Sequence, residues 1–354
     1  MKKATKKEKR SYAGKEVYVG MDVHKRTYSV TVICEGEIVK RDTMCADASG
    51  LIRYFKKHFE GAEIHSAYEA GFSGFGLHRA LVTAGIKNIV VNPASIEVAV
   101  NDKVKTDRRD SQKQAEQLSR GVLKGIYIPT EEEELDRVLS RTREQIVQQR
   151  ARVATQIKSK LHYFGKMAFD DTRAITEMYL SKLEGMNLAA ELSYGLGLLI
   201  AQWRFLTLQI KEIGKKFTEQ AKKNPAVEKV YQSVPGIGPV SARVLSNELG
   251  DLSKRFENER ALFSFTGLTP SEHSSGDSIH KGHISRQGSS KIRKYLIEIA
   301  WRAIEKDPAL TESFGRIART RGKKRAIVAI ARKLIGRIRA CFNHGCEYQL
   351  DVVV

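Results

Sequence analysis

Short runs of alternating apolar and polar residues predict five β-strands in the first third of the chain, at residues 17–23, 29–34, 36–41, 63–68 and 88–92. Apolar residues at helical spacing predict three helices in the same region, at residues 51–59, 76–84 and 106–120. Three strands come first, and helices then alternate with the remaining strands. Residues 17–125 are therefore predicted to form one α/β domain.

A heptad spacing replaces this alternation in the helical region predicted for residues 126–222, and no strand is predicted in residues 131–220. Eight residues follow one another at alternating steps of four and three: Leu192, Leu196, Leu199, Trp203, Leu206, Ile210, Ile213 and Phe217. A weaker stripe of the same kind runs from Leu135 to Phe164. The spacing predicts two long helices joined by residues 166–188, which form either a coiled coil between chains or a hairpin within one chain.

A third, mostly helical unit is predicted for residues 223–354. Pro235-Gly236-Ile237-Gly238 lies between two of its helical segments. Gly236 and Gly238 permit backbone conformations in which amide N–H groups face a phosphate, as in helix-hairpin-helix DNA-binding elements. The alternative is a glycine-containing turn between two packed helices.

Positive charge is concentrated in two segments. The chain has 61 Lys and Arg against 41 Asp and Glu, a net charge of +20. Residues 281–340 hold 17 basic and 4 acidic residues, and residues 1–10 hold 6 and 1. Such asymmetry predicts a nucleic-acid surface that includes Arg286, Lys291 and Arg293, although a basic face kept for solubility is the alternative. Residues 1–16 are predicted to be a basic, disordered arm.

The rest of the composition excludes several protein classes. The hydrophobic fraction of 41% and the charged fraction of 29% are typical of a globular protein. No apolar stretch is long enough for a membrane-spanning helix, and the N-terminal residues do not resemble a secretory signal. Four cysteines fit a reducing compartment better than a disulfide framework. The sequence therefore predicts a cytoplasmic protein without a membrane partner.

Four acidic residues are candidates for a metal site. Asp22 and Glu69 each lie at the end of a predicted strand, and Asp107 and Asp110 share one face of a predicted helix. The order of elements is that of a ribonuclease H-like domain, in which the first and fourth strands are neighbours and the last helix packs across them. The four carboxylates are therefore predicted to lie close together.

Like charges gathered in this way require a cation. Hard divalent ions prefer oxygen ligands, so the group predicts Mg²⁺, with Mn²⁺ as a second choice. Two such ions could support phosphoryl transfer. The alternative is that the four residues are helix caps and ordinary surface acids.

A loop rich in Ser, Gly and His covers residues 267–290. A serine that precedes a glycine there, with Arg and His nearby, could be a nucleophile. Taken by composition alone, the segment is a flexible loop.

Several short motifs together resemble a known family. In chain order they are Tyr18-Val19-Gly20-Met21-Asp22-Val23, Tyr68-Glu69-Ala70-Gly71, Lys105-Thr106-Asp107-Arg108-Arg109-Asp110, Pro235-Gly236-Ile237-Gly238, Gly267-Leu268-Thr269-Pro270, Ser274-Ser275-Gly276 and Ile284-Ser285. Their order and spacing resemble the Asp-Glu-Asp-Asp insertion-sequence transposases of the IS110 family, which are related to the Piv site-specific DNA invertase. The resemblance extends over residues 17–340.

The resemblance implies a RuvC-like domain at residues 17–125, a coiled coil at residues 126–222 and a C-terminal transposase domain. It implies that Asp22, Glu69, Asp107 and Asp110 bind Mg²⁺ and that Ser275 attacks DNA, with Ser274 as the less favoured register. The implied partners are donor and target DNA, a structured guide RNA from the element, called bridge RNA, and further copies of the chain in a dimer or tetramer. The implied location is the nucleoid of a prokaryotic cell.

These observations favour a DNA recombinase that excises and inserts a mobile element. The metal would act on the scissile phosphate that the serine hydroxyl attacks, in a site that two subunits could share. One alternative is a RuvC-like, metal-dependent nuclease that hydrolyses DNA junctions with water. Another is a nucleic-acid-binding protein without catalytic activity.

Overall fold

The first part of the chain folds around a five-stranded sheet. A computed structural model describes residues 11–97, 106–167, 173–272, 281–285 and 287–351. The strands are β1 Glu16–Val23, β2 Thr27–Cys34, β3 Glu37–Cys45, β4 Glu63–Glu69 and β5 Lys87–Val91. Their order is β3-β2-β1-β4-β5, with β2 antiparallel to β1 and β3, and with β4 parallel to β1 and β5. The α/β class is therefore confirmed, and the order is consistent with a ribonuclease H-like fold.

Three helices pack on this sheet: α1 Ala48–His58, α2 Gly76–Thr83 and α3 Asp107–Ser119. Alternate residues of β1, namely Val17, Val19 and Met21, are fully buried in the main core, as β-strand periodicity requires. Leu51 and Phe55 of α1 contribute to the same core at a spacing of one helical turn.

Two long helices and a short one follow: α4 Glu131–Tyr163, α5 Glu177–Glu184 and α6 Ala190–Ala221. A capping box starts α4, because Thr130 accepts from the amide of Glu133 while the Glu133 carboxylate accepts from the amide of Thr130. Four glutamates in the first turn of α4 also favour its start through the helix dipole.

Five of the eight heptad residues of α6 are buried inside the chain, and Leu199, Ile210 and Ile213 are half-buried. Leu192, Leu196, Trp203 and Leu206 lie in one apolar cluster with residues of α4 and α5, among them Ile157. Of the two arrangements that the spacing predicts, the structure has the hairpin within one chain. This face of α6 is consequently not available to a second chain.

The remaining elements are mostly helical: α7 Pro225–Gln232, α8 Pro239–Leu249, α9 Leu252–Arg255, α10 Glu259–Thr266, β6 Pro270–Glu272, β7 Lys281–Ile284, α11 Ser290–Ala303, α12 Pro308–Arg321 and α13 Lys323–His344. The predicted helical character of this part is confirmed. Every residue of α8 from Ala242 to Leu249 is buried, so α8 forms the centre of the unit. None of the helices in the described ranges is long and apolar enough to cross a bilayer.

The chain divides into two units, Met1–Ile128 and Pro129–Val354. The second unit contains both the α4–α6 hairpin and the C-terminal helices. The division into three domains with boundaries near residues 125 and 222 stays a prediction. The predicted Ser274, Ser275 and Arg286, and the first ten residues of the predicted basic arm, lie outside the described residues.

One fully buried carboxylate stabilises the C-terminal unit. Asp307 accepts hydrogen bonds from Arg337 Nη1 at 3.0 Å and from the Tyr348 hydroxyl at 2.6 Å. Its other oxygen accepts from the amide of Ala309 at 3.0 Å and so caps α12. All the partners that a buried carboxylate requires are thus supplied by the protein.

Candidate functional site

Asp22 and Glu69 lie in the last two residues of neighbouring parallel strands. The last aligned pair of β1 and β4 is Met21 and Tyr68, and each acidic residue follows directly after its member of that pair. Parallel strands end at the same edge of a sheet, so the two carboxylates share this edge. We call it the acidic edge.

The first turn of α3 brings two more carboxylates. Asp107 and Asp110 are the acidic residues of that turn, and the Thr106 side chain caps the helix by accepting from the amide of Arg109 at 3.3 Å. Acidic residues in a first turn are favoured by the helix dipole alone. Their position in the first turn therefore indicates a binding site only if they also lie close to Asp22.

Gly20 determines that distance, because α3 lies directly on the backbone of β1. A Cβ atom at Gly20 would lie 2.0 Å from the Ser111 carbonyl oxygen and 2.4 Å from the Ala115 amide nitrogen. Both contacts involve helix backbone, which cannot move aside as a side chain would. Glycine is thus required two residues before Asp22 if α3 is to approach the sheet so closely.

Gln114 fixes α3 along the strands. It is buried, and in the amide orientation that satisfies its surroundings it donates to the carbonyls of Met21 at 3.0 Å and Ala67 at 3.2 Å. We adopt this orientation because the opposite one turns the amide oxygen toward other acceptors. The Ser111 and Thr31 hydroxyls, 2.9 Å apart, form a second link between α3 and the sheet.

His24 completes the acidic edge. Its Nε2 lies 3.2 Å from Asp22 Oδ2 and 3.3 Å from Asp107 Oδ2. Ligand atoms of these three residues lie within 4.8 Å of one another, whereas Glu69 and Asp110 are not part of that group. His24 is not among the site residues predicted from the sequence, although its position two residues after Asp22 is a signal that indicates it.

The charged groups of the acidic edge shift one another's pKa values. Burial raises the pKa of Asp22, and the charges of Asp107 and Asp110 raise it further, while His24 opposes them. The pKa of His24 is raised in turn, chiefly by the Asp22 carboxylate. Carboxylates gathered beside an exposed histidine fit a hard divalent cation, whose preferred ligands are oxygen atoms.

Two of the basic residues predicted to contact nucleic acid are engaged inside the C-terminal unit. Lys291 Nζ lies 3.7 Å from the buried carboxylate of Glu248, and burial lowers the pKa of Lys291. Arg293 donates to the Thr266 carbonyl at 3.1 Å. Their charges are therefore used partly for internal contacts.

Six other cations are exposed where α12 meets α13. They are Arg316, Arg319, Arg321, Lys323, Lys324 and Arg325, which we call the basic ridge. None of them forms an ion pair with a residue that the structure describes, and no acidic residue occurs between Glu312 and Glu347.

Folding stability does not account for the whole basic ridge. Its last three residues begin α13, where no side chain caps the helix and where the dipole disfavours positive charge. An exposed, unpaired set of cations matches a phosphate backbone.

The glycines of the 235–238 motif play different parts. Gly236 has φ +87°, and a Cβ there would lie 2.8 Å from Arg302 Cβ, so it is needed where the turn packs against α11. Gly238 has open space around it and precedes α8, whose N-terminus has no side-chain cap. Of the two predicted phosphate contacts, Gly238 has the more suitable surroundings.

Two family models match the chain. A model described as a transposase of the DEDD type in IS110 elements matches residues 19–164, a range that includes Asp22, Glu69, Asp107 and Asp110. A domain of this type indicates dependence on divalent metal ions. A second model, described as the transposase IS116/IS110/IS902 family, matches residues 228–315.

Curated transposases are similar to this chain over most of its length. The transposase for insertion sequence element IS1533 of Leptospira borgpetersenii is 28% identical over 340 residues, which cover 93% of this chain and 96% of the relative. The transposase for insertion sequence element IS1111A of Coxiella burnetii is 28% identical over 262 residues, covering 72% of this chain and 71% of the relative. The chain therefore belongs to the IS116/IS110/IS902 family of transposases, enzymes that cleave and recombine DNA.

Proposed function

We propose that this transposase moves an insertion sequence by Mg²⁺-dependent recombination, with Asp22, Glu69, Asp107 and Asp110 as metal-binding residues and Ser275 as the nucleophile. The observation that carries the proposal is the acidic edge, where ligand atoms of Asp22, His24 and Asp107 lie within 4.8 Å of one another. Two β-strands and a helix in backbone contact with the sheet hold these residues, so the site is formed in advance.

The four carboxylates suit Mg²⁺, and also Mn²⁺, because both are hard ions that prefer oxygen. When bound, a divalent ion there would polarise the scissile phosphate and stabilise the leaving oxygen. Gly20 and Gln114 act before any ion binds, since they fix the position of α3, and with it Asp107, against the strand that carries Asp22.

Ser275 is assigned as the nucleophile through the family resemblance. Its Oγ would form a bond to phosphorus while the bond from phosphorus to a deoxyribose oxygen breaks. The serine proton leaves to solvent, and the departing oxygen takes one up. The phosphoserine link conserves the energy of the phosphodiester, so rejoining requires no ATP.

The proposed partners are donor DNA, target DNA, a structured bridge RNA encoded by the element, and further copies of the chain in a dimer or tetramer. The basic ridge supports phosphate contacts, since its six cations have no acidic partner among the described residues. Two subunits could share one composite active site. We place this activity in the cytoplasm of a prokaryotic cell, at the nucleoid.

A denaturing gel tests the serine mechanism. Protein is incubated with Mg²⁺, bridge RNA and nicked DNA substrates that trap a covalent intermediate. We expect a shifted protein–DNA band that is absent for Ser275→Ala and present for the matched control Ser274→Ala.

Other results would change the mechanism. Loss of the band only in Ser274→Ala would show that the nucleophile is Ser274 instead of Ser275. An active protein without any covalent band would contradict the phosphoserine link. Cleavage that continues in Ser275→Ala would favour the junction nuclease, which uses water.

A further inference from the structure

Helix α6 carries a second apolar stripe on the side opposite the buried one. Tyr194, Leu198, Phe205 and Leu208 are exposed by 73%, 59%, 59% and 55%. With Ala201 between them, these residues follow one another at steps of four, three, four and three, which is heptad spacing. We call this stripe the outer seam.

Contacts among the residues that the structure describes do not account for the outer seam. The opposite face of α6 already packs in the apolar cluster with α4 and α5, so the helix does not need a second apolar face for its own stability. Gly197, beside the outer seam, has nothing within 4 Å of an added Cβ atom, so packing within the chain does not require a glycine there. Contiguous exposed apolar residues on a helix are typical of a surface that binds another macromolecule.

We propose that the outer seam binds the outer seam of a second copy of this chain, with the two α6 helices antiparallel. The proposal rests on the oligomer of the proposed function and names the interface that forms it. The seam is self-complementary about Ala201: a two-fold axis there brings Leu198 near Phe205 of the partner subunit and Tyr194 near Leu208 of the partner subunit. The small Ala201 at the axis allows the two backbones to approach closely.

Charge along α6 favours the antiparallel arrangement. Glu191 is exposed near the start of α6, and Lys211 is exposed about 30 Å further along the helix axis, given the rise of 1.5 Å per residue. Neither forms an ion pair with any residue in the described part of the chain, whereas Lys215 and Lys216 are paired with Glu212 and Glu219. Antiparallel helices place Glu191 opposite Lys211 of the partner subunit, whereas parallel helices would place like charges together.

The mass of the full-length protein in solution tests the interface. Sedimentation without nucleic acid or metal should show a dimer or a larger species that dissociates on dilution. Leu198→Glu with Phe205→Glu places charges in the seam and should raise the dissociation constant at least tenfold. The matched control, Ser193→Glu with Thr218→Glu, adds the same charge at exposed positions of α6 outside the seam and should keep the wild-type mass.

Three results would overturn the interface: a wild-type monomer at every concentration, an unchanged mass in the seam variant, or an equal loss in the control. Circular dichroism should show the same helix content in all variants, so that a change in mass reports association. Because neither DNA nor metal is present, a dimer without transposition would contradict the proposed chemistry, whereas a monomer with transposition would contradict only this interface.

Cross-linking tests the orientation. In a background where the two exposed cysteines are removed by Cys45→Ser and Cys346→Ser, Tyr194→Cys combined with Leu208→Cys should form a disulfide between copies. Tyr194→Cys alone should not, because in an antiparallel pair the two introduced sulfurs lie about 20 Å apart along the helix. Efficient cross-linking by Tyr194→Cys alone would show parallel helices and overturn the proposed geometry.

Discussion

The carboxylates of the acidic edge and the buried carboxylate of Asp307 have opposite surroundings. Asp22 faces the carboxylates of Asp107 and Asp110, and among the described residues the exposed His24 supplies the counter-charge that lowers its pKa. Asp307 is fully buried, yet it accepts hydrogen bonds from Arg337, Tyr348 and the start of α12. In the first arrangement like charges oppose one another, whereas in the second a cation and hydrogen-bond donors surround the carboxylate.

The difference separates residues that serve binding from residues that serve stability. A buried carboxylate contributes to the fold only when donors surround it, as they do at Asp307. Carboxylates that repel one another destabilise the fold unless a cation joins them, as we propose for the acidic edge. Three substitutions test this distinction, from the largest expected effect to the smallest.

Asp22→Asn should reduce recombination by at least about 100-fold, since changes even outside the direct ligands of a metal cost about 10- to 100-fold. Its free energy of unfolding should stay the same or rise, because repulsion from Asp107 and Asp110 is relieved. Thermal melting supplies a readout independent of activity: Mg²⁺ at ten times its dissociation constant should stabilise the wild type by about 1.4 kcal/mol and the variant hardly at all. Full activity, or an undiminished response to Mg²⁺, would contradict the metal site.

Asp307→Asn is the corresponding substitution at the buried carboxylate. It should lower the free energy of unfolding by about 3 kcal/mol, because the buried Arg337 loses its charged partner. Denaturant titration should show a lower midpoint with an unchanged slope. At temperatures where the variant is folded, its stabilisation by Mg²⁺ should equal that of the wild type. An Asp307→Asn protein as stable as the wild type would show that Asp307 and Asp22 differ less in their contribution to folding stability than the structure indicates.

Removing Lys323, Lys324 and Arg325 together by substitution with Gln should weaken DNA binding without loss of stability. If each cation neutralises one phosphate, the slope of log affinity against log salt should fall by about 2.7. Melting temperature should hold or rise slightly, since positive charge at the start of α13 is unfavourable. The matched control replaces Lys56, Lys57 and Lys124, which are also exposed, and should keep the wild-type slope. Equal losses in both triple variants would mean that the basic ridge has no special part in binding.

Local patterns in the sequence predict most elements closely. The fourth strand is predicted at residues 63–68 and observed at Glu63–Glu69, and the second helix is predicted at residues 76–84 and observed at Gly76–Thr83. Strand alternation and helical spacing are properties of neighbouring residues, so they can be recognised without the rest of the structure. The strand order then follows from the sequence of elements.

Partners distant in sequence could not be predicted. The heptad spacing of α6 is the same whether its partner is α4 or another chain, so the sequence left both arrangements open. The sequence predicts that Lys291 contacts nucleic acid because it does not reveal that Glu248, 43 positions earlier, is a neighbour in space. His24 was missed for the opposite reason: it is close in sequence to Asp22, but its role depends on Asp107.

The contact between Gly20 and α3 has a consequence for the genetics of this element. Every single-nucleotide missense change of a glycine codon yields a residue with a Cβ atom, and any such atom would overlap the backbone of Ser111 and Ala115. A mutational scan scored by transposition should therefore find position 20 as intolerant as position 22, although Gly20 has no side chain to contribute to chemistry. Intolerance at Gly20 would reflect how closely α3 lies on β1. A substitution there should abolish activity because it displaces Asp107 and Asp110, the carboxylates that α3 carries, from Asp22.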